Sequence, residues 1–118
     1  MLPGVSLKVV QRSDGPAAGY ETVMVEIEVA AGVIVPPHTH PGVESTFVLE
    51  GDGELHIQGL APRKLRAGDS FQSPPDTVHF VKIGAKARVC STLVVRKGEP
   101  LTSPVGDVAA AEGAAKIA

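Results

Sequence analysis

Glycine and proline interrupt this chain at short intervals, and what lies between them is mostly short, β-rich runs. With 13 glycines and 10 prolines in 118 residues, that spacing favours a sandwich or barrel over βαβ units. Candidate strands are Leu7–Arg12, Thr22–Ala30, Val33–Pro36, Ser45–Glu50, Glu54–Gln58, Arg63–Leu65, Ser70–Ser73, His79–Ile83 and Ala87–Arg96. Several alternate: Val25, Ile27 and Val29 share one face while Glu26 and Glu28 share the other. Gly51-Asp52-Gly53 reads as a hairpin loop, and Ala67-Gly68-Asp69 and residues 82–86 as further reversals, with Asp69 a turn-stabilising carboxylate. Only the Ala-rich end suggests helix, a turn that Gly113 weakens. The expected organisation is one domain over residues 1–108 and a tail over 109–118.

Charge and cysteine content narrow the function classes. A net charge of −2 lacks the basic excess of a nucleic-acid binder. Arg63, Lys64 and Arg66 read as the wet face of a strand. The single cysteine, Cys90, excludes an internal disulfide scaffold and reads as a packed core or interface thiol. No apolar run approaches the ~18 residues that cross a membrane, and the N-terminal residues lack a leader pattern. The expected location is therefore cytoplasmic, with no membrane or nucleic-acid partner.

Three of the four histidines form a pattern. His38 and His40 are two apart, and Pro36, Pro37 and Pro41 rule out a helix, so a strand aims both imidazoles to one side. Pro41 and Gly42 break the chain before Glu44, whose carboxylate can return towards the imidazoles. His79 opens a strand after the Pro74-Pro75 turn. His38, His40, Glu44 and His79 together are the candidate ligands of one divalent transition metal. Imidazoles with one carboxylate suit Fe, Mn, Ni, Cu or Zn better than Ca or Mg.

At these residues the chain resembles the cupin superfamily. The first motif of that family reads here as Gly32, His38, His40, Glu44 and Gly51, and the second as Gly68, Pro74 and His79. Two positions depart: Asp76 stands where the family has glycine, and Ile83 where it has asparagine. The resemblance implies an all-β fold, a double-stranded β-helix or small jelly-roll barrel, with the metal near one open end. It also implies a homodimer.

Strand parity extends the site. Counting from His38, Glu44 and His79 predicts a mostly apolar pocket wall of Ile34, Thr46, Val48, Val81 and Ile83, with Ile83 making its part of the wall more apolar. Phe47, Phe71 and Phe80 are read as packing, and His56 as exposed or structural. Gln72 and Tyr20 are further candidates for the pocket rim. The expected activity is metal-dependent chemistry on a small organic molecule, with dioxygenase chemistry first and Glu44 as a ligand able to take a proton. Isomerisation or decarboxylation, and non-catalytic binding or sensing of a small ligand, are the alternatives.

Overall fold

A computed structural model describes residues 2–117, with side chains up to Glu112. Met1 and Ala118, the outer limits of the two expected segments, lie outside the described residues. The strands are β1 (Val5–Asp14), β2 (Tyr20–Val29), β3 (Ile34–Thr39), β4 (Gly42–Glu50), β5 (Asp52–Ile57), β6 (Arg63–Arg66), β7 (Ser70–Ser73), β8 (His79–Ile83), β9 (Ala87–Arg96) and β10 (Ser103–Pro104). One helix, α1 (Val108–Ile117), follows.

The strands form two five-stranded antiparallel sheets, ordered β1-β2-β9-β4-β7 and β10-β3-β8-β5-β6. Together they make the expected double-stranded β-helix. Alternation decides which residues point between the sheets. On β2, Val23, Val25 and Val29 are buried while Glu28 is exposed. On β4, Glu44, Thr46 and Val48 point inward, and Ser45 and Phe47 point outward. Phe47 is therefore not a packing residue: it is 46% exposed. Phe80 is buried, as expected. The core has two clusters, Val23, Val25, Leu93 and Val95 in one and Val48, Leu55, Ile57 and Leu65 in the other.

The Gly51 region corrects the hairpin expectation. β4 and β5 belong to different sheets and do not pair. A register shift between Val48 and Glu50 bends β4, and Gly51 turns the corner at a φ of 88°. A Cβ there would lie 2.4 Å from the Lys86 carbonyl oxygen, so only glycine fits. The Ala67-Gly68-Asp69 reversal also crosses between sheets, and the Asp69 carboxylate accepts a hydrogen bond from the Arg66 amide at 2.9 Å.

The short β10, unforeseen in the sequence, pairs with Thr39 and His38. Its Pro104 is tolerated because this is an edge strand. Asp107 precedes helix α1 and its carboxylate caps the Ala110 amide at 2.8 Å, and the Lys82 ammonium donates to Glu112 at 2.7 Å. Among the described residues no helix is long and apolar enough to cross a membrane.

Candidate metal centre

The four predicted ligands arrive from three strands and both sheets. His38 lies on β3 and His40 just beyond it, Glu44 lies on β4, and His79 opens β8. Gly42 allows the transfer from β3 to β4. A Cβ there would sit 1.9 Å from the Val94 carbonyl oxygen, so the chain can press against β9 only without a side chain. On the other side, Asp76 turns the chain ahead of His79 at a φ of 56°, the conformation that glycine would adopt freely.

The three imidazoles form one cluster. Ring centroids of His38 lie 4.9 Å from His40 and 4.2 Å from His79, and those of His40 and His79 are 5.0 Å apart. Each ring has its Nδ1 on a backbone carbonyl: His38 on Pro36 at 2.6 Å, His40 on Leu101 at 2.7 Å, and His79 on Thr77 at 3.0 Å. The Ser73 hydroxyl is also 3.2 Å from His79 Nδ1. A carbonyl can only accept, so each Nδ1 carries the proton and each Nε2 presents a lone pair. The Nε2 atoms of His40 and His79 are buried and have no hydrogen-bond partner. They stand 3.5 and 3.3 Å from the two oxygens of Glu44, outside hydrogen-bonding geometry. Buried nitrogens left in this state are costly unless something else meets them. One ligand atom from each of His38, His40 and His79 lies within 4.8 Å of the others, so the three could hold an ion. Glu44 lies against that cluster.

Protonation follows from these neighbours. Burial pushes His38 down to about 4, with His79 adding to the effect. Burial also opposes charge on His40, but the Glu44 carboxylate outweighs it and holds the ring above its ordinary value. Burial would raise Glu44, yet His40 and His79 beside it hold its carboxyl well below the usual range. Glu44 is therefore ionised at neutral pH and His38 is a neutral donor.

A cavity of about 490 Å³ continues from the cluster between the sheets. Thr46, Val48, Val81 and Ile83 line it, and Ile34 does not. A register shift between Val35 and His38 places one extra residue on β3, which reverses parity. Val35 consequently faces the cavity, and Ile34 turns outward, 44% exposed. Phe71 lines the cavity and also packs on the second core cluster. Tyr20 and Gln72 are not part of the wall. His56 lies apart from the histidine cluster, stacked on Phe80 at 4.3 Å and donating to Glu54 at 2.5 Å.

Some supporting residues went unforeseen. Leu101 and Thr77 act through backbone carbonyls, which no side-chain pattern announces. Ser91 carried a signal: it shares strand parity with the buried Leu93 and Val95, and its hydroxyl meets that of Thr46 at 2.7 Å.

Several known proteins are similar to this chain in sequence or in fold. The dimethylsulfoniopropionate lyase DddQ of Ruegeria pomeroyi is 32% identical over 91 residues, 77% of this chain and 44% of that protein. Its solved structure superposes with a TM-score of 0.63 at 26% identity, covering 73% of this chain and 45% of the other. Germin-like protein subfamily 2 member 4 of Arabidopsis thaliana is 32% identical over 84 residues, 64% of this chain and 38% of the relative. The chain thus spans less than half the length of these curated relatives. The structure of KdgF from Halomonas sp. matches with a TM-score of 0.65 at 24% identity, over 81% of this chain and 84% of that one, which is a likeness of fold. The cupin domain family model matches residues 25–96, from the second strand through the ninth, and the chain belongs to the cupin family.

Proposed function

We propose that His38, His40, Glu44 and His79 hold one divalent transition metal, and that the protein uses it to act on a small organic molecule as a dioxygenase. The observation that carries the metal reading is the pair of buried, partnerless Nε2 atoms beside an ionised Glu44, with all three Nδ1 atoms already tied to carbonyls. Neutral imidazoles and one carboxylate suit Fe, Mn, Ni, Cu or Zn. Such a metal supplies Lewis acidity and, if redox-active, a place to bring dioxygen beside a substrate.

The chain's own contribution is positioning and exclusion of water. The carbonyl tethers fix the rings, and the cavity wall surrounds the substrate body. Among the described residues that line the cavity, Glu44 is the only carboxylate beside the cluster. Asp52, the other acid in the wall, lies at the far end of β5 from His79's neighbour Ile57 and accepts from the Ala85 amide at 3.1 Å. A site with one such group favours oxygenation over reactions that need separate acid and base.

A second reading is lyase, isomerase or decarboxylase chemistry, in which the Glu44 carboxylate would take a proton from the substrate. The similarity to a lyase supports it. The non-catalytic alternative is a binding or sensing module. In each reading residues 1–108 form the working barrel, 109–118 an appended tail, and the unit is a cytoplasmic homodimer.

Elemental analysis of protein purified without added metal tests the centre. We expect close to one ion per chain in the wild type and little in His38→Ala and His79→Ala; unchanged metal content would refute it. Oxygen uptake with flavonols, diketones or thiols then separates the readings. Turnover without uptake would move the assignment to lyase-type chemistry, and binding without turnover to the sensing module.

A further inference from the structure

Beyond Glu44 the cavity wall changes character. Its polar groups fall at three levels. His38, His40, Glu44, His79 and Thr102 stand at one end, the Thr46–Ser91 pair next, and Asp52 at the other end. The wall between is apolar, mostly valine, leucine, isoleucine and phenylalanine with Ala87 and Gly53, and among the described residues no lysine, arginine, asparagine or glutamine lines it. A sugar or a polycarboxylate placed there would leave hydroxyls or charges unpaired against apolar side chains, which is strongly unfavourable. A volume of about 490 Å³ falls within the range of about 300–1,000 Å³ common for small-molecule sites.

Thr46 and Ser91 sharpen the picture. Both are buried, on paired positions of β4 and β9, with their hydroxyl oxygens 2.7 Å apart. One hydroxyl donates to the other, which leaves one O–H proton of the pair for a further acceptor. Thr46 is two residues from Glu44 on one strand, so this donor lies roughly 7 Å from the metal level along β4.

We infer that the cavity takes an uncharged, predominantly apolar molecule with one oxygen-donor head at the metal end and one acceptor oxygen in its body, met by the Thr46–Ser91 pair. Only the head group rests on the proposed metal centre; the apolar body and its acceptor rest on the wall itself.

Alkyl hydroxamates test this on the metal-loaded protein by calorimetry. Acetohydroxamate, hexanohydroxamate and octanohydroxamate share one head and differ in tail. Affinity should rise about fourfold per methylene. Adipic monohydroxamate, a hexanohydroxamate with a terminal carboxylate, should bind at least about tenfold more weakly than its alkyl counterpart. Val89→Phe fills the wall without touching a ligand, and should flatten the series while metal content stays unchanged. Among 4-, 5- and 6-oxo-octanohydroxamates, at least one should bind as well as octanohydroxamate, and at least about tenfold more weakly in the Thr46→Val/Ser91→Ala double variant. Hydroxamates that bind with no dependence on tail would overturn the inference and leave the metal centre standing. Oxo compounds that all bind poorly to the wild type would overturn the acceptor. If the protein holds no metal, the centre fails, and N-phenyl-1-naphthylamine, an uncharged fluorescent probe, decides the rest on metal-free protein. Fluorescence enhancement that Val89→Phe abolishes supports the apolar body, and no enhancement overturns it.

Discussion

Asp76 shows how one residue can tie a site together from outside it. Its amide donates to the His40 carbonyl at 3.0 Å, and Arg96 grips its carboxylate through two bonds of 2.8 and 3.1 Å. The Arg96 amide in turn donates to the Pro41 carbonyl at 3.0 Å. The loops carrying His40 and His79 are thereby joined. A left-handed backbone is unfavourable for most side chains, and a β-branched residue adopts it least readily. Asp76→Gly should retain metal content, whereas Asp76→Val should lower both the melting temperature and metal retention, measured by thermal denaturation and elemental analysis. His38 supplies a second prediction. Its folded value of about 4 lies below the unfolded 6.5, so stability is fully present above 6.5 and is lost as pH falls towards 4. His40 has the opposite sign: its raised value gives stability already complete below 6.5, so it adds no slope in that window. Glu44, depressed, adds further loss below its ordinary 4.5. Urea denaturation of metal-free protein should therefore show roughly 3 kcal/mol lost between pH 6.5 and 4, and His38→Gln should remove most of that slope above pH 4.5.

At the scale of elements, the corners matter more than the strands. Gly42→Ala would drive a methyl group into the Val94 carbonyl, and we expect a loss of about 3 kcal/mol in chemical denaturation. An equally small effect to that of a surface substitution would mean that β4 can shift away from β9. The same contrast explains what could be read in advance. Period-two alternation marked β2, β4 and β9 and placed Glu44, Thr46 and Val48 on one face, because parity holds along an unbroken strand. Parity failed at Ile34 because one extra residue on β3 reverses it, and nothing in Val33-Ile34-Val35-Pro36-Pro37 states which residue is extra. Gly51 was legible as a turn but not as a change of sheet, since φ above zero is common to both. The clustering of His38, His40 and His79 was legible through proline-forced turns, while their tethers are the backbone carbonyls of Pro36, Leu101 and Thr77, which side-chain patterns do not announce.

Among the described residues β1 is the longest of the edge strands. β1 ends its sheet, and Leu7, Val9 and Val10 on it are exposed. If the homodimer proposed above forms there, light scattering after size exclusion should give twice the chain mass, and Val10→Lys should shift it towards the monomer. A dimer unaffected by that change would have to use another face. The hollow between the sheets has a different consequence, in volume rather than energy. Unfolding a domain eliminates its internal voids, and the volume change, commonly about −20 to −100 mL/mol, scales with them. A dry hollow of about 490 Å³ would make this barrel unusually sensitive to hydrostatic pressure. High-pressure NMR should find it unfolding at modest pressure when empty and resisting when a ligand fills the space; the same threshold in both states would mean that water already occupies it.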